Sequence, residues 1–221
     1  MSEQLEKEFI EQAFRKLKER GWFVDQELER STVTEEEIAA FEAKHQVTLP
    51  SLYKAYLTSY RIPDREYIMS IAGATDQDLE FDGGPLWLDL RGAVTMEELE
   101  KWMEILQQIR DYCDLSEESF RYLIPIGDWG AGWGPLCLDL SREGKVDPKN
   151  AETWSVVWFD HEDFEWEQSY LSDDGLLHGQ SATPDFKTLL EWYFCGSLEA
   201  EFEAATGVKP TYEWYQNGAH Y

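Results

Sequence analysis

Apolar residues recur at every fourth position near the start of the chain: Leu5, Phe9, Ala13 and Leu17. That spacing predicts an amphipathic helix ending near Gly21. A second helix opens at Thr34, whose hydroxyl can accept the Glu37 amide while the Glu37 carboxylate reaches back, a capping box. Ile38 and Phe41 form its buried stripe. A third starts at Leu49-Pro50, since proline suits a first turn where its missing N–H would be unpaired anyway. Leu52, Tyr53, Tyr56, Leu57 and Tyr60 line one face of it, and Ile62-Pro63-Asp64 ends it. From Glu66 the period changes to two: "EYIMSIAG" and "LWLDLRG" read as strands around the turn-rich "DGGP". Thr95 with Glu98 repeats the capping signature, followed by Leu99, Trp102, Met103, Leu106 and Ile109 at helical spacing. "YLIPIGDW", "GPLCLDLS" and "WSVVWFDHE" are three further strand candidates. Thr183-Pro184 opens a last long helix carrying Phe186, Leu189, Leu190, Tyr193 and Phe194, and "GVKPTYEWYQNGAHY" is an aromatic, strand-like end. Helices, then strands, then helices predict an α+β fold. Ile38, Phe41, Leu57, Leu99, Trp102, Leu138 and Val157 are expected to share one core.

The glycine-rich run Gly127, Gly130, Gly132 and Gly134 invites a phosphate-loop reading, which its context excludes. No Gly-Lys-Ser/Thr follows, and the spacing fails the dinucleotide pattern. A phosphate loop must feed a helix whose first N–H groups hold the anion. Here Leu136, Leu138 and Leu140 alternate with Cys137 and Asp139, so the run joins strand to strand. Its glycines are expected to permit positive φ in a hairpin. Trp129 and Trp133 either cover the sheet or present an interaction surface, with Asp128 beside them.

Charge narrows the classes of partner. Forty-five Asp and Glu against 19 Lys and Arg give a formal charge of −26. Such a chain repels nucleic acid and anionic membranes and favours basic partners, while aromatic residues at 14% mark it as folded rather than a disordered acidic tract. Three dispersed cysteines without a CxxC pair argue for a reducing compartment, against a disulfide frame and against a zinc knuckle. The acidic opening "MSEQLEKEFIEQAF" reads as no signal peptide, and no apolar run reaches the roughly 20 residues of a membrane span. A cytoplasmic location is expected.

In order, "TEEEIAAFEAKHQVTLP", "LYKAYL", "IPIGDWGAGWGPLCLDLS", "EGKV" and "VVWFDHE" resemble the SUKH superfamily, which includes the fungal cell-wall-assembly regulator domain and bacterial toxin-immunity proteins. The resemblance runs from about Thr34 to Phe194. Ile38, Phe41-Glu42 and Leu49-Pro50 correspond to its first motif; Ile124-Pro125, Gly127-Asp128, Leu138-Asp139-Leu140 and Trp158, Asp160 and His161 correspond to its second. "YRIPDRE" replaces the Asn-Gly-Gly-like turn, and Asp147 to Glu152 is an insertion. The resemblance implies a central, mostly antiparallel sheet with helices packed on it. Residues 1–33 then form an N-terminal helical extension, 34–196 the domain, and 197–221 an aromatic extension of that domain. It also implies a binding function without catalytic residues, cofactor or metal: an immunity protein that blocks a basic, nuclease-type toxin domain, or alternatively a regulatory scaffold module.

The residues agree in offering no catalytic constellation. His45, His161, His178 and His220 form no H-x-x-x-H pair, and Asp160-His161-Glu162, read as adjacent strand residues, point to opposite faces. No serine stands in a nucleophile elbow. "FDHEDFEWE" instead sets Asp160, Glu162, Asp163, Glu165 and Glu167 among Phe159, Phe164 and Trp166. Carboxylates orient a basic partner and aromatics anchor it. The competing reading makes Phe159 and Trp166 core and the acids a solvated edge. The expected partner-binding set is Asp128, Trp129, Trp133, Asp160, Glu162, Asp163, Glu165, Trp166 and Glu167.

Overall fold

A computed structural model describes residues 3–21, 27–61, 65–70, 87–90, 95–129, 134–141, 155–160, 162–163 and 165–216. Three helices lead: α1 (Glu3–Glu19), α2 (Glu35–His45) and α3 (Ser51–Ser59). The Thr34 capping box is formed, with the Glu37 amide donating to Thr34 Oγ1 at 3.2 Å and the Thr34 amide to Glu37 Oε2 at 2.8 Å. Pro50 stands at the cap of α3, one position before its expected place in the first turn. In α1 the buried stripe is Glu6, Ile10, Ala13, Phe14 and Leu17, whereas Leu5 is exposed and Phe9 half-buried. A strict four-residue repeat drifts around a helix of 3.6 residues per turn, so the expected stripe leaves the core at its N-terminal end.

The strands β1 (Arg65–Ser70), β2 (Trp87–Asp89), β3 (Leu123–Trp129), β4 (Pro135–Asp139), β5 (Ser155–Trp158), β6 (Gln180–Thr183) and β7 (Thr211–Gln216) make one sheet. Its order is β6-β5-β4-β3-β2-β1-β7, and every described pairing is antiparallel. The C-terminal segment is thus an edge strand on β1. Helices α4 (Met96–Tyr112), α5 (Trp166–Ser169), α6 (Phe186–Tyr193) and α7 (Ser197–Thr206), with a 3-10 turn at Glu117–Phe120, complete the fold. At the start of α4 the Glu98 amide donates to Thr95 Oγ1. The glycine run does link strand to strand. β3 and β4 pair antiparallel, the Trp129 amide donates to the Gly134 carbonyl at 3.0 Å, and Gly134 has φ 150°. Gly130 and Gly132 lie outside the described residues.

Two cores flank the sheet. Ile124, Ile126, Leu136, Leu138, Leu140 and Val156 join α1, α2, α3, α6 and α7 in the larger one. Leu123, Cys137, Val157 and Phe159 face the smaller, which Leu106, Trp166, Tyr170 and Leu177 fill from the other side. The expected single core is therefore corrected. Ile38, Phe41, Leu57, Leu99 and Leu138 share one cluster, Val157 belongs to the other, and Trp102 is half-buried. Alternate residues of a strand point to opposite faces, so a sheet covered on both sides divides its apolar residues between two cores.

The last helix is also revised. Thr183 ends β6, and Asp185 caps α6 by accepting the Thr188 amide at 2.6 Å. Gly196, with φ 90°, separates α6 from α7, which the sequence pattern left unassigned.

Candidate functional site

The acidic segment begins where β5 ends. Phe159 is the last residue tied to β4, its amide donating to the Pro135 carbonyl at 3.2 Å, and the chain then turns. Asp160 Oδ1 accepts the Glu162 amide at 2.9 Å and Asp163 Oδ1 the Glu165 amide at 2.8 Å. These are two successive Asx turns, the local alternative to a ladder that Asp side chains favour. The segment is therefore a turn, not the strand end expected; His161 and Phe164 lie outside the described residues.

Beneath this turn lies an aromatic base. Phe159 stacks on Trp166 with centroids 4.7 Å apart, Phe120 stacks on its ring at 6.2 Å, and Tyr170 meets both Phe159 and Trp166 edge-on. Both polar tips of the base hold the Asp160 backbone. Trp166 Nε1–H donates to the Asp160 carbonyl at 3.2 Å, and the Asp160 amide donates to Tyr170 Oη at 3.1 Å. A buried indole and phenol must find partners, and here the partner is the main chain of the turn. Gly179 allows the close packing, since a Cβ there would stand 2.7 Å from the Trp158 carbonyl oxygen.

Each expected site residue can now be placed. Glu162, Glu165 and Glu167 are exposed, and Asp160 and Asp163 are half-buried. Trp166 is 1% exposed, so its expected role as a surface anchor is corrected: the ring belongs to the second core and shapes the turn from below. Trp129 is likewise buried, edge-on to Tyr193, and covers the sheet. Asp128 is half-buried near the end of β3. It pairs with Pro135 while Phe159 adjoins Pro135 from β5, so Asp128 and the acidic turn occupy one end of the sheet. One strand separates them, about 10 Å at ordinary strand spacing. Trp133 lies outside the described residues.

Sequence reasoning missed a cleft of roughly 700 Å³ between α2, α4 and the 3-10 turn. Its basic side chains are engaged: Lys44 and His45 meet Glu100 at 2.6 and 3.1 Å, Arg110 meets Asp111, and Arg121 meets Glu118. Burial works against the Glu100 charge, but hydrogen bonds from Lys44 and His45 hold its carboxyl below the usual range. Phe120 lines this cleft and stacks on Trp166, joining it to the base of the acidic turn. No sequence pattern announces such a cleft, because its walls are brought together only by packing.

Two of the three motif acids outside the turn, Glu42 and Asp139, serve the scaffold. Glu42 Oε1 accepts the Leu49 amide at 2.7 Å and pairs with Lys54 at 2.9 Å, fastening the α2–α3 junction. Asp139 Oδ1 accepts the Ser141 amide at 2.8 Å at the end of β4. Residues 32–174 match the model of the SMI1 / KNR4 family (SUKH-1). The chain belongs to the SUKH-1 family. The match takes in both motifs, the acidic turn and most of the smaller core; α6, which contributes to the larger core, falls beyond it. No curated protein matches the chain.

Among the described residues no group of three His, Cys, Asp or Glu is placed to hold a metal. The three cysteines are free, and no described helix is long and apolar enough to cross a membrane.

Proposed function

We propose that this SUKH-1 chain is a cytoplasmic immunity protein, a binding protein rather than an enzyme. It neutralises a cognate basic toxin domain of nuclease type by stoichiometric blocking. The observation that carries this reading is the acidic turn. From Asp160 to Asp174 the sequence holds seven carboxylates and no Lys or Arg, and its first part is fixed by two Asx turns and by the Trp166 and Tyr170 side chains. A nuclease must present positive charge to hold phosphates. A fixed array of carboxylates matches that surface, and its rigidity lowers the ordering cost of association. The binding set is Asp128, Asp160, Glu162, Asp163, Glu165 and Glu167, with Trp166 acting through the shape of the turn; Trp129 supports the same end of the sheet from within the core.

The test is a search of the neighbouring genes for a toxin domain, followed by co-expression with it. Wild type should rescue growth and form a one-to-one complex. Glu162, Glu165 and Glu167 changed together to Lys should abolish rescue while leaving thermal unfolding cooperative. Association of the wild type should slow as salt rises, because the Debye length falls from about 8 Å at physiological ionic strength to about 3 Å at 1 M. Full protection by the triple variant would remove the acidic turn from the interface. A partner from a signalling or wall-assembly pathway, in place of a toxin, would favour the scaffold alternative.

A further inference from the structure

On the second face of the sheet a histidine stands between two carboxylates from separate parts of the chain. Asp139 of β4 has a side chain only 2% exposed. Its Oδ1 accepts the Ser141 amide and hydroxyl at 2.8 and 2.5 Å, and its Oδ2 faces His178 Nδ1 at 3.3 Å. The other ring nitrogen, Nε2, faces Asp174 Oδ2 at 3.0 Å. Asp174 and His178 belong to one loop, closed by the Leu171–Leu177 bridge and by the Ser172 amide donating to the Leu176 carbonyl. Leu177 is buried in the smaller core, and its amide donates to Ser119 of the 3-10 turn. The loop's base is therefore anchored by packing, while its Asp173–Gly175 tip meets β4 through the imidazole.

We propose that Asp139, His178 and Asp174 form a proton-operated latch: one proton on His178 clips the loop tip to β4, and its loss releases Asp174. Only the doubly protonated ring can donate to both carboxylates. A neutral ring turns a lone pair toward one of them. Asp139 is buried and has no water to replace a lost donor, whereas the Asp174 side chain is 52% exposed and has. The surviving tautomer is thus Nδ1–H donating to Asp139, and the Asp174 contact opens.

The charged groups acting on the ring, among the described residues, are Asp139 from β4 and Asp174 from its own loop. Burial opposes the imidazolium, but hydrogen bonds to Asp174 and Asp139 outweigh it and raise His178 above the ordinary 6.5. The His178 hydrogen bond, followed by the Leu176 amide, holds Asp174 below its ordinary value. The histidine contribution is therefore complete below the ordinary imidazole value and is lost as pH rises through the raised one. The Asp174 contribution fails at the acid end, as pH falls through its lowered value. The latch is closed between these limits.

The experiment uses the free, full-length chain and needs no partner. Imidazole nitrogen NMR should show His178 doubly protonated at pH 6 and passing to the Nδ1–H tautomer with a midpoint above 6.5. Amide exchange at Gly175 should lose protection through the same midpoint, about tenfold for each pH unit by which that midpoint exceeds the free-imidazole value. Asp174→Asn should lower the midpoint, and His178→Gln should remove the protection step altogether. A His178 midpoint at or below 6.5, an Nε2–H tautomer, or a midpoint unmoved by Asp174→Asn would overturn the latch. Because every readout comes from the free chain, failure to find a toxin leaves the latch intact, and failure of the latch leaves the toxin reading intact.

Discussion

At the scale of single residues, Trp166 decides how the acidic turn is built. Its ring fills the smaller core between Phe159 and Phe120, and its indole N–H holds the Asp160 carbonyl. Trp166→Ala should cost about 3–5 kcal/mol, the usual range for emptying a buried tryptophan site. Trp166→Phe keeps most of the packing and removes the donor, so the loss should fall to about 1 kcal/mol. Denaturant unfolding of the two variants separates packing from hydrogen bond; equal losses would mean the ring's packing contributes nothing beyond its donor. Of the two "FDHEDFEWE" readings drawn from the sequence, the burial pattern matches the one that makes Phe159 and Trp166 core and the acids a solvated edge. Trp166 and Phe159 are core, and Glu162, Glu165 and Glu167 are exposed. Composition cannot tell a buried indole from an exposed one, since tryptophan suits both positions and the choice depends on what packs over it.

At the scale of elements, the legible parts are those whose signals are local. The Thr34 cap, the Leu49-Pro50 start and the β3–β4 hairpin each rest on contacts within a few residues, and each forms. Thr34→Ala should cost about 1 kcal/mol by leaving the Glu37 amide without its side-chain acceptor. Thr34→Asp should retain most of that stability, because a carboxylate accepts the same amide and suits a helix N-terminus. Thermal unfolding of the pair measures this, and an unchanged midpoint for Thr34→Ala would show that the cap is not limiting. Elements without a local signature went unassigned. β6, "QSAT", is polar and short, and becomes a strand through pairing with β5. α5 is a four-residue turn of helix set by the burial of Trp166.

At the scale of the whole molecule, the chain's two ends close on each other. Arg20, just after α1, donates through Nη1 to the Tyr193 carbonyl at 2.8 Å and forms an ion pair with Glu199 of α7. Both side chains are mostly buried, at 15% and 9% exposure. Removing Arg20 takes a buried counter-charge from Glu199, so Arg20→Met should cost about 3–5 kcal/mol. Arg20→Met with Glu199→Leu should recover most of that loss, since apolar replacement of both leaves neither buried charge to compensate. A double-mutant cycle by denaturant unfolding reads the coupling; additive losses would mean that the pair does not act as a unit. Residues 1–33 and 197–221 read from the sequence as extensions. In the fold, Ile10, Phe14, Leu198 and Phe202 sit in the same core as Ile38 and Leu138, and β7 pairs with β1.

By itself the sequence determined the α+β class, the capped helices and the strand-to-strand nature of the glycine run, because periodicity, caps and turn residues act over a few positions; the family resemblance was carried separately, by the order of its motifs. The acidic character of the Asp160–Glu167 segment was equally plain, since charge is a property of composition. Only the tertiary structure decided the two-core division of the sheet, the burial of Trp166 and Trp129, and the meeting of Asp139 with His178 across 39 positions of chain. The reason is physical: burial and long-range pairing depend on which face another element covers, and no local pattern encodes that choice.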